Sequence, residues 1–207
     1  MTAQQEPWDA ERAQRHATWA KMSSRLLYAP FARKIVDCVG PLEEGATIVD
    51  LGTGSGVLSI ELGKLWPQAR IIGVDLSADM LKIARNDAAA AGLSNFETRL
   101  GRAEELPLES NSVNLVVSQS SFHEWDDPQK GLSEVCRILR PGGSLILKDY
   151  NWAWLSGWKR SLFQLFGHGE MFKFTFDDVT ALLREAGLTE IKGDGRGVQW
   201  FVQALKR

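Results

Sequence analysis

Cysteine is scarce in this chain, with only Cys38 and Cys136 among 207 residues. Two distant thiols cannot build a disulfide framework or a zinc site, so a reducing compartment is expected, with both thiols acting as small core-facing hydrophobes. Surplus charge is missing as well. Lys and Arg number 24 against 26 for Asp and Glu, a net −2. That balance speaks against nucleic acid as a partner, because such proteins carry a basic face or a high pI. No run approaches the roughly eighteen apolar residues of a membrane-spanning helix, and the opening M-T-A-Q-Q-E-P-W-D has no charged-then-apolar leader pattern. A cytoplasmic protein without stable membrane insertion is the expectation. His16 and His168 lack partners at ligand spacing, so no metal site is expected. With 44% hydrophobic and 24% charged residues, the chain suits one globular domain with a full core.

What is present is concentrated in residues 48–56, which read I-V-D-L-G-T-G-S-G. An apolar run followed at once by Gly52, Gly54 and Gly56 describes a buried strand turning tightly into a helix, with the backbone bare enough for a ligand to lie against it. A dinucleotide fingerprint would place Gly or Ala where Val57 stands, so that pattern is broken. Asp50 is delivered to the loop by the strand. Its carboxylate would repel a pyrophosphate at the following helix N-terminus but would suit an ammonium or sulfonium group. The loop therefore favours a cationic nucleoside.

Around this loop the chain alternates. Residues 9–22 carry Ala13, Ala17, Ala20 and Trp19 in a helical pattern, and a second helix over about 24–39 is broken or kinked at Pro30. Strands at 46–51, 70–75, 95–100, 112–118 and 144–149 then alternate with helices at 55–65, 77–91 and 128–139. Met80, Leu81, Ala84 and Ala88 give helix 77–91 one apolar face. Such alternation implies a parallel sheet wound on both faces, with ligands at the C-terminal ends of its strands. After a helix over 176–186, strands at 188–192 and 198–205 flank G-D-G-R-G as a hairpin, so the sheet edge should hold one antiparallel strand.

The pattern D-x-G-x-G-x-G resembles motif I of the class I S-adenosylmethionine-dependent methyltransferases. Residues 70–75, R-I-I-G-V-D, follow as the second strand, with Asp75 nineteen residues beyond Gly56. G-R-A-E-E-L-P from 101, S-V-N-L-V-V-S from 112 and R-P-G-G-S-L-I-L from 140 resemble the later motifs in order. They are most similar to the branch that includes the ubiquinone/menaquinone-biosynthesis C-methyltransferases. The resemblance implies an α/β fold, a doubly wound Rossmann-like sheet of seven mostly parallel strands with one antiparallel edge strand and an N-terminal helical cap. It implies S-adenosyl-L-methionine as cofactor and S-adenosyl-L-homocysteine as product. On this likeness Gly52, Thr53, Gly54 and Gly56 let backbone approach the methionine portion, Asp50 favours its ammonium and Asp75 accepts from the ribose hydroxyls. Leu76 packs on adenine, which Ala103 and Glu104 read. Arg102 stands where relatives carry an acid or amide, and its guanidinium can stack on the ring or face solvent but cannot accept from the adenine amino group. Ser118 and Gln119 match positions facing the methionine end.

Candidate catalytic residues lie just beyond. His123 could take a proton from a hydroxyl, amine or acidic carbon as the new bond forms, and Tyr150 could orient the acceptor. Residues 150–176 hold Trp152, Trp154, Trp158, Phe163, Phe166, Phe172, Phe174 and Phe176, more aromatics than one connection needs. This segment is expected to act as a lid or pocket wall for a small apolar or aromatic acceptor, with a buried helix or a homodimer contact as the bland alternatives. The expected divisions are a cap over 1–40, a cofactor-binding core over 41–149, this segment, and a C-terminal helix and hairpin over 177–207. Arsenite methylation is disfavoured because two distant cysteines cannot supply the thiol set such relatives need. An oxidoreductase fails at Val57 and at the hairpin. A non-catalytic sensor of the cofactor or its product stays open, because methyl transfer obliges no catalytic residue.

Overall fold

The computed structural model describes residues 10–154 and 173–207. Two helices lead, α1 (Ala10–Ser23) and α2 (Ala29–Val39), joined by a π-helical turn over Ser24–Tyr28. Pro30 explains the break between them. It has no N–H for the preceding turn, and it sits in the first turn of α2, where that donor is not needed. Ala13, Ala17 and Ala20 face inward, whereas Trp19 is 53% exposed.

The core then runs β1 (Thr47–Leu51), α3 (Val57–Leu65), β2 (Arg70–Asp75), α4 (Ala78–Ala90), β3 (Phe96–Leu100), β4 (Val113–Gln119), α5 (Pro128–Ile138), β5 (Leu139–Tyr150), α6 (Phe176–Glu185), β6 (Leu188–Asp194) and β7 (Gln199–Lys206). The strands form one sheet in the order β3-β2-β1-β4-β5-β7-β6. The first five are parallel, and β7 runs antiparallel to β5 on one side and β6 on the other. The hairpin thus closes the sheet at that end with β6 outermost. Strand order reverses between β1 and β4, the place where open α/β sheets take their ligands.

Alternation along the strands builds two core layers. Val49, Leu51, Ile72, Val116, Leu145 and Leu147 pack against Leu132 and Val135 of α5 and Val179 and Leu183 of α6. Ile48, Ile71, Leu115, Val117 and Ile146 pack on the other face against Phe31 and Ile35 of α2 and Leu58 and Leu62 of α3. The expected face of α4 is buried at all four positions, Met80, Leu81, Ala84 and Ala88. Strand β5 is longer than expected. Leu139 already pairs with Val113 and a bulge separates that pair from Leu115 and Ser144, so the turn residues Pro141 and Gly142 lie within the element. Both cysteines are free and half-buried; Cys38 packs against the α2 core layer as expected.

Among the described residues no helix is long and apolar enough to cross a membrane. The middle of the aromatic segment, with Trp158, Phe163, Phe166 and Phe172 as well as Lys159, Arg160 and His168, lies outside the described residues, so the lid expectation does too. Its two ends are described, and they meet. Asn151 and Phe174 form a parallel bridge, and the Trp152 amide donates to the Phe174 carbonyl at 3.0 Å. Asn151 is 1% exposed. Its amide nitrogen donates to the carbonyls of Gly195 and Gly197, and its own oxygen accepts from the Ala153 amide, tying the segment to the β6–β7 turn.

Candidate active site

The site grows from the end of β1. The Gly52 and Thr53 amides both donate to the Val74 carbonyl, at 2.8 and 3.0 Å, which curls the chain over the tip of β2. Gly52 has φ 73°, and a β-carbon there would lie 2.1 Å from Ser121 Oγ. No other residue type fits both the angle and the space. Ser121 reaches this point because Ser120 takes a left-handed φ of 56° at the end of β4, which folds the chain back over the sheet as a 3-10 turn at Phe122–Glu124. Ser121 Oγ donates to the Leu51 carbonyl at 3.1 Å and lies 2.9 Å from Ser118 Oγ.

The loop residues divide by role. Gly54 has open space where a side chain would stand, and its amide donates to Asp75 Oδ2 at 2.8 Å while the Ser77 amide donates to Oδ1 at 2.9 Å. At Gly56 packing also demands glycine, since a β-carbon there would meet Ala84 of α4 at 2.9 Å. Thr53 also turns inward. Its hydroxyl and that of Ser59 donate to Asp50 Oδ2 at 2.9 and 2.7 Å, which leaves Oδ1 for another donor. Asp50 is 2% exposed. Burial pushes its carboxyl up to about 6 against the pull of those two hydroxyls, and the Asp75 charge adds to the rise.

A cavity of about 440 Å³ opens between the glycine loop, the end of β2 and the turn after β3. Of the expected cofactor residues Gly52, Asp75, Leu76, Arg102, Ala103 and Glu104 line it. Leu76 leaves 64% of its surface exposed there, an apolar face without a cover. Arg102 faces solvent at the cavity rim, where its Nε donates to Glu104 Oε2 at 3.2 Å and its Nη2 donates to Asp126, clasping the two loops that border the cavity. Glu104 is also bound by the Asp127 amide at 3.1 Å. Asp50, Thr53, Gly54, Gly56, Ser118, Gln119, His123 and Tyr150 are not among the lining residues. Ser118 is buried beneath Ser121, and Gln119, its strand neighbour, takes the opposite face.

Beyond Ser121 stands a second group. His123 Nδ1 lies 2.9 and 3.1 Å from the two oxygens of Asp149, and the His123 amide donates to Asp149 Oδ2 at 3.0 Å. Burial works to lower the imidazole pKa, but the hydrogen bond to Asp149 and the Asp149 charge outweigh it and hold the ring above the ordinary value of 6.5. With Nδ1 directed at Asp149, Nε2 is the atom left for chemistry. The Tyr150 ring lies 5.8 Å from the His123 ring. Tyr28, from the turn before α2, lies near Tyr150 and Asp50, and burial foremost, with those two charges, pushes its phenol up to about 12.

Sequence reasoning missed Ser121, Tyr28 and the Trp125–Asp126 border. Trp125 is recognisable only in space, where its ring leaves no room for a side chain at Gly131, with a β-carbon 2.5 Å away. A signal for Tyr28 did exist. The chain has two tyrosines, Tyr28 and Tyr150, and both stand here.

A family model described as a methyltransferase domain matches residues 42–186. The chain belongs to this methyltransferase-domain family. It is similar to a malonyl-[acyl-carrier protein] O-methyltransferase of Methylococcus capsulatus, 32% identical over 152 residues that cover 73% of this chain and 54% of the relative. It is also similar to a demethylmenaquinone methyltransferase of Listeria monocytogenes, 26% identical over 195 residues, 91% of this chain and 76% of the relative. The chain spans about half or less of the length of the first-ranked curated relatives. Among solved structures, a SAM-dependent methyltransferase from Aquifex aeolicus superposes with a TM-score of 0.75 at 22% identity, covering 97% of this chain and all of that one, a likeness of fold.

Proposed function

We propose that the protein transfers a methyl group from S-adenosyl-L-methionine to a small acceptor, releasing S-adenosyl-L-homocysteine. The observation that carries this reading is Asp75, fixed by the Gly54 and Ser77 amides in the wall of the 440 Å³ cavity. The residues present suit the cofactor. Gly52 and Gly54 give bare backbone, the exposed face of Leu76 gives an apolar cover for a base, and buried Asp50 has no ion-pair partner among the described residues. The bound cofactor supplies a methyl group on a sulfonium, already activated for displacement. What the chain adds is orientation and the exclusion of water. His123, held by Asp149 through Nδ1, would use Nε2 to accept the proton that the acceptor atom gives up on methylation. Tyr150 and Tyr28 remain neutral phenols that orient the acceptor by hydrogen bonding. Phe122, packed on Phe174, Trp125 and Trp200 at ring separations of 5.1, 4.8 and 5.8 Å, backs an apolar or aromatic acceptor. The names of the Listeria and Methylococcus relatives agree with methyl transfer, and neither describes a sensor.

Calorimetry with S-adenosyl-L-homocysteine, followed by transfer of labelled methyl to a metabolite panel, tests this. Micromolar binding and labelled product are expected. Tight binding of NAD in place of the homocysteine compound would overturn the reading.

A further inference from the structure

One row of side chains is unused by that chemistry. Gln119 of β4, Lys148 of β5 and Phe201 of β7 are direct cross-strand neighbours, so their side chains share one face of the sheet, the face covered by α2. Phe31 and Lys34 of α2 close over them. Lys148 Nζ sits 4.9 Å from the Phe31 ring centre and Lys34 Nζ sits 3.7 Å from that of Phe201, while the two rings meet edge to face at 6.2 Å. Two ammonium groups are therefore gathered in one aromatic setting.

Among the described residues neither ammonium forms an ion pair with a carboxylate. Lys148 is half-buried and forms no ion pair among the described residues, and Asp194, which feels the charge of Lys34, is held through both oxygens by Arg196. Burial and the neighbouring Lys34 charge together pull the Lys148 ammonium below its ordinary range, as expected for a cation short of a counter-charge. An independent sign stands beside it. Gln119 Oε1 is buried without a hydrogen-bond partner, and since amide oxygen and nitrogen exchange by a simple flip, this end can equally present a donor.

The row also has a defined place relative to the proposed site. Asp50, Val117 and Ile146 are register partners, and Gln119 and Lys148 stand one step further toward the C-terminal ends of the same strands, with Tyr150 one step beyond Lys148. The cations thus lie between buried Asp50 and the His123–Tyr150 group on the cap side. The geometry points to an anion-binding subsite, formed by Lys148 with Lys34 and the Gln119 amide, that receives a carboxylate or phosphate oxygen group of a ligand bound at the active site. The chemistry is shared by two sources, the methionine carboxylate of the cofactor and an anionic group on the acceptor. In either case the assignment rests on the methyl-transfer reading only for where the rest of the ligand lies.

The experiment compares the native protein with Lys148→Met, Lys148→Arg and Lys34→Met, each checked for an unchanged melting curve. Calorimetry is run with S-adenosyl-L-homocysteine, with 5′-methylthioadenosine, which lacks the amino-acid portion, and with inorganic phosphate and benzoate, both with and without the homocysteine compound. A tenfold or greater loss of homocysteine-compound affinity in Lys148→Met, restored in Lys148→Arg and absent for methylthioadenosine, supports the subsite with the cofactor as source. Unchanged cofactor affinity with loss of phosphate or benzoate binding supports it with the acceptor as source. Equal binding of all four probes by native protein and Lys148→Met overturns it. If native protein binds no homocysteine compound, the methyl-transfer reading fails. The phosphate and benzoate titrations still decide the subsite, since loss in Lys148→Met supports it and no binding by native protein overturns it.

Discussion

Asp149 holds His123 twice, through the ring Nδ1 at 2.9 Å and through the backbone amide at 3.0 Å. A carboxylate that fixes both ring and backbone leaves the imidazole one orientation. Because it favours the proton-bound ring, the rate of methyl transfer should climb with pH along an ascending limb whose midpoint lies above the ordinary imidazole value of 6.5. The stability from the pair is whole below that value and is lost as pH rises through the raised folded value. His123→Gln should slow methyl transfer about 10²–10⁴-fold with cofactor affinity preserved. Asp149→Asn should shift the limb to lower pH. A loss under tenfold for His123→Gln would return the ring to a packing role.

Asp75→Ala should weaken S-adenosyl-L-homocysteine binding by roughly 2–4 kcal/mol, because two hydrogen bonds to a charged acceptor are removed. The Gly54 and Ser77 amides lose their acceptor as well. Calorimetry on a variant with native circular dichroism reads the effect, and unchanged affinity would remove Asp75 from the site.

Gly52→Ala places a methyl group against Ser121 Oγ in a left-handed backbone, so a stability loss of roughly 1–3 kcal/mol is expected, with cofactor binding falling alongside. Ser121→Gly should recover part of that loss by vacating the space. No recovery in the double variant, measured by chemical denaturation, would place the cost in the backbone angle alone.

Asp50 gives a pH test of opposite use. Its folded value of about 6 exceeds the ordinary 3.8, so its protonation favours the folded state. That contribution is whole below the lower value and is lost as pH rises through about 6, a change of roughly 3 kcal/mol for the ligand-free protein. Asp50→Asn should flatten the slope. In native protein, S-adenosyl-L-homocysteine affinity should rise over the same window as its ammonium meets the ionised carboxylate. A pH-independent affinity would argue against that contact.

The parallel core was legible because β1, β2 and β4 are short apolar runs, and β2 coincides with its expected span. Strand β5 was shortened in the sequence reading, since Pro141 and the paired glycines signal a turn, whereas the structure carries them in the strand behind a bulge. The glycine loop read correctly as a bare turn, yet its glycines could not be separated. Only packing against Ala84 distinguishes Gly56 from Gly54. The pairing of Arg102 is not legible locally, because Asp126, one of its partners, is 24 residues away. His123 and Asp149 are separated by 26 residues, and no local pattern joins them. Tyr28 reaches the site through a π turn that hydrophobic spacing does not encode.

The bridge between Asn151 and Phe174 makes the chain leave the sheet and return to it at one point. Whatever lies between these residues can change in length or composition while the strands on either side keep their register, because the junction is held by Asn151 and the β6–β7 turn. Exchanging residues 155–172 between relatives, with Asn151 and Phe174 retained, is the substitution this fold is built to accept.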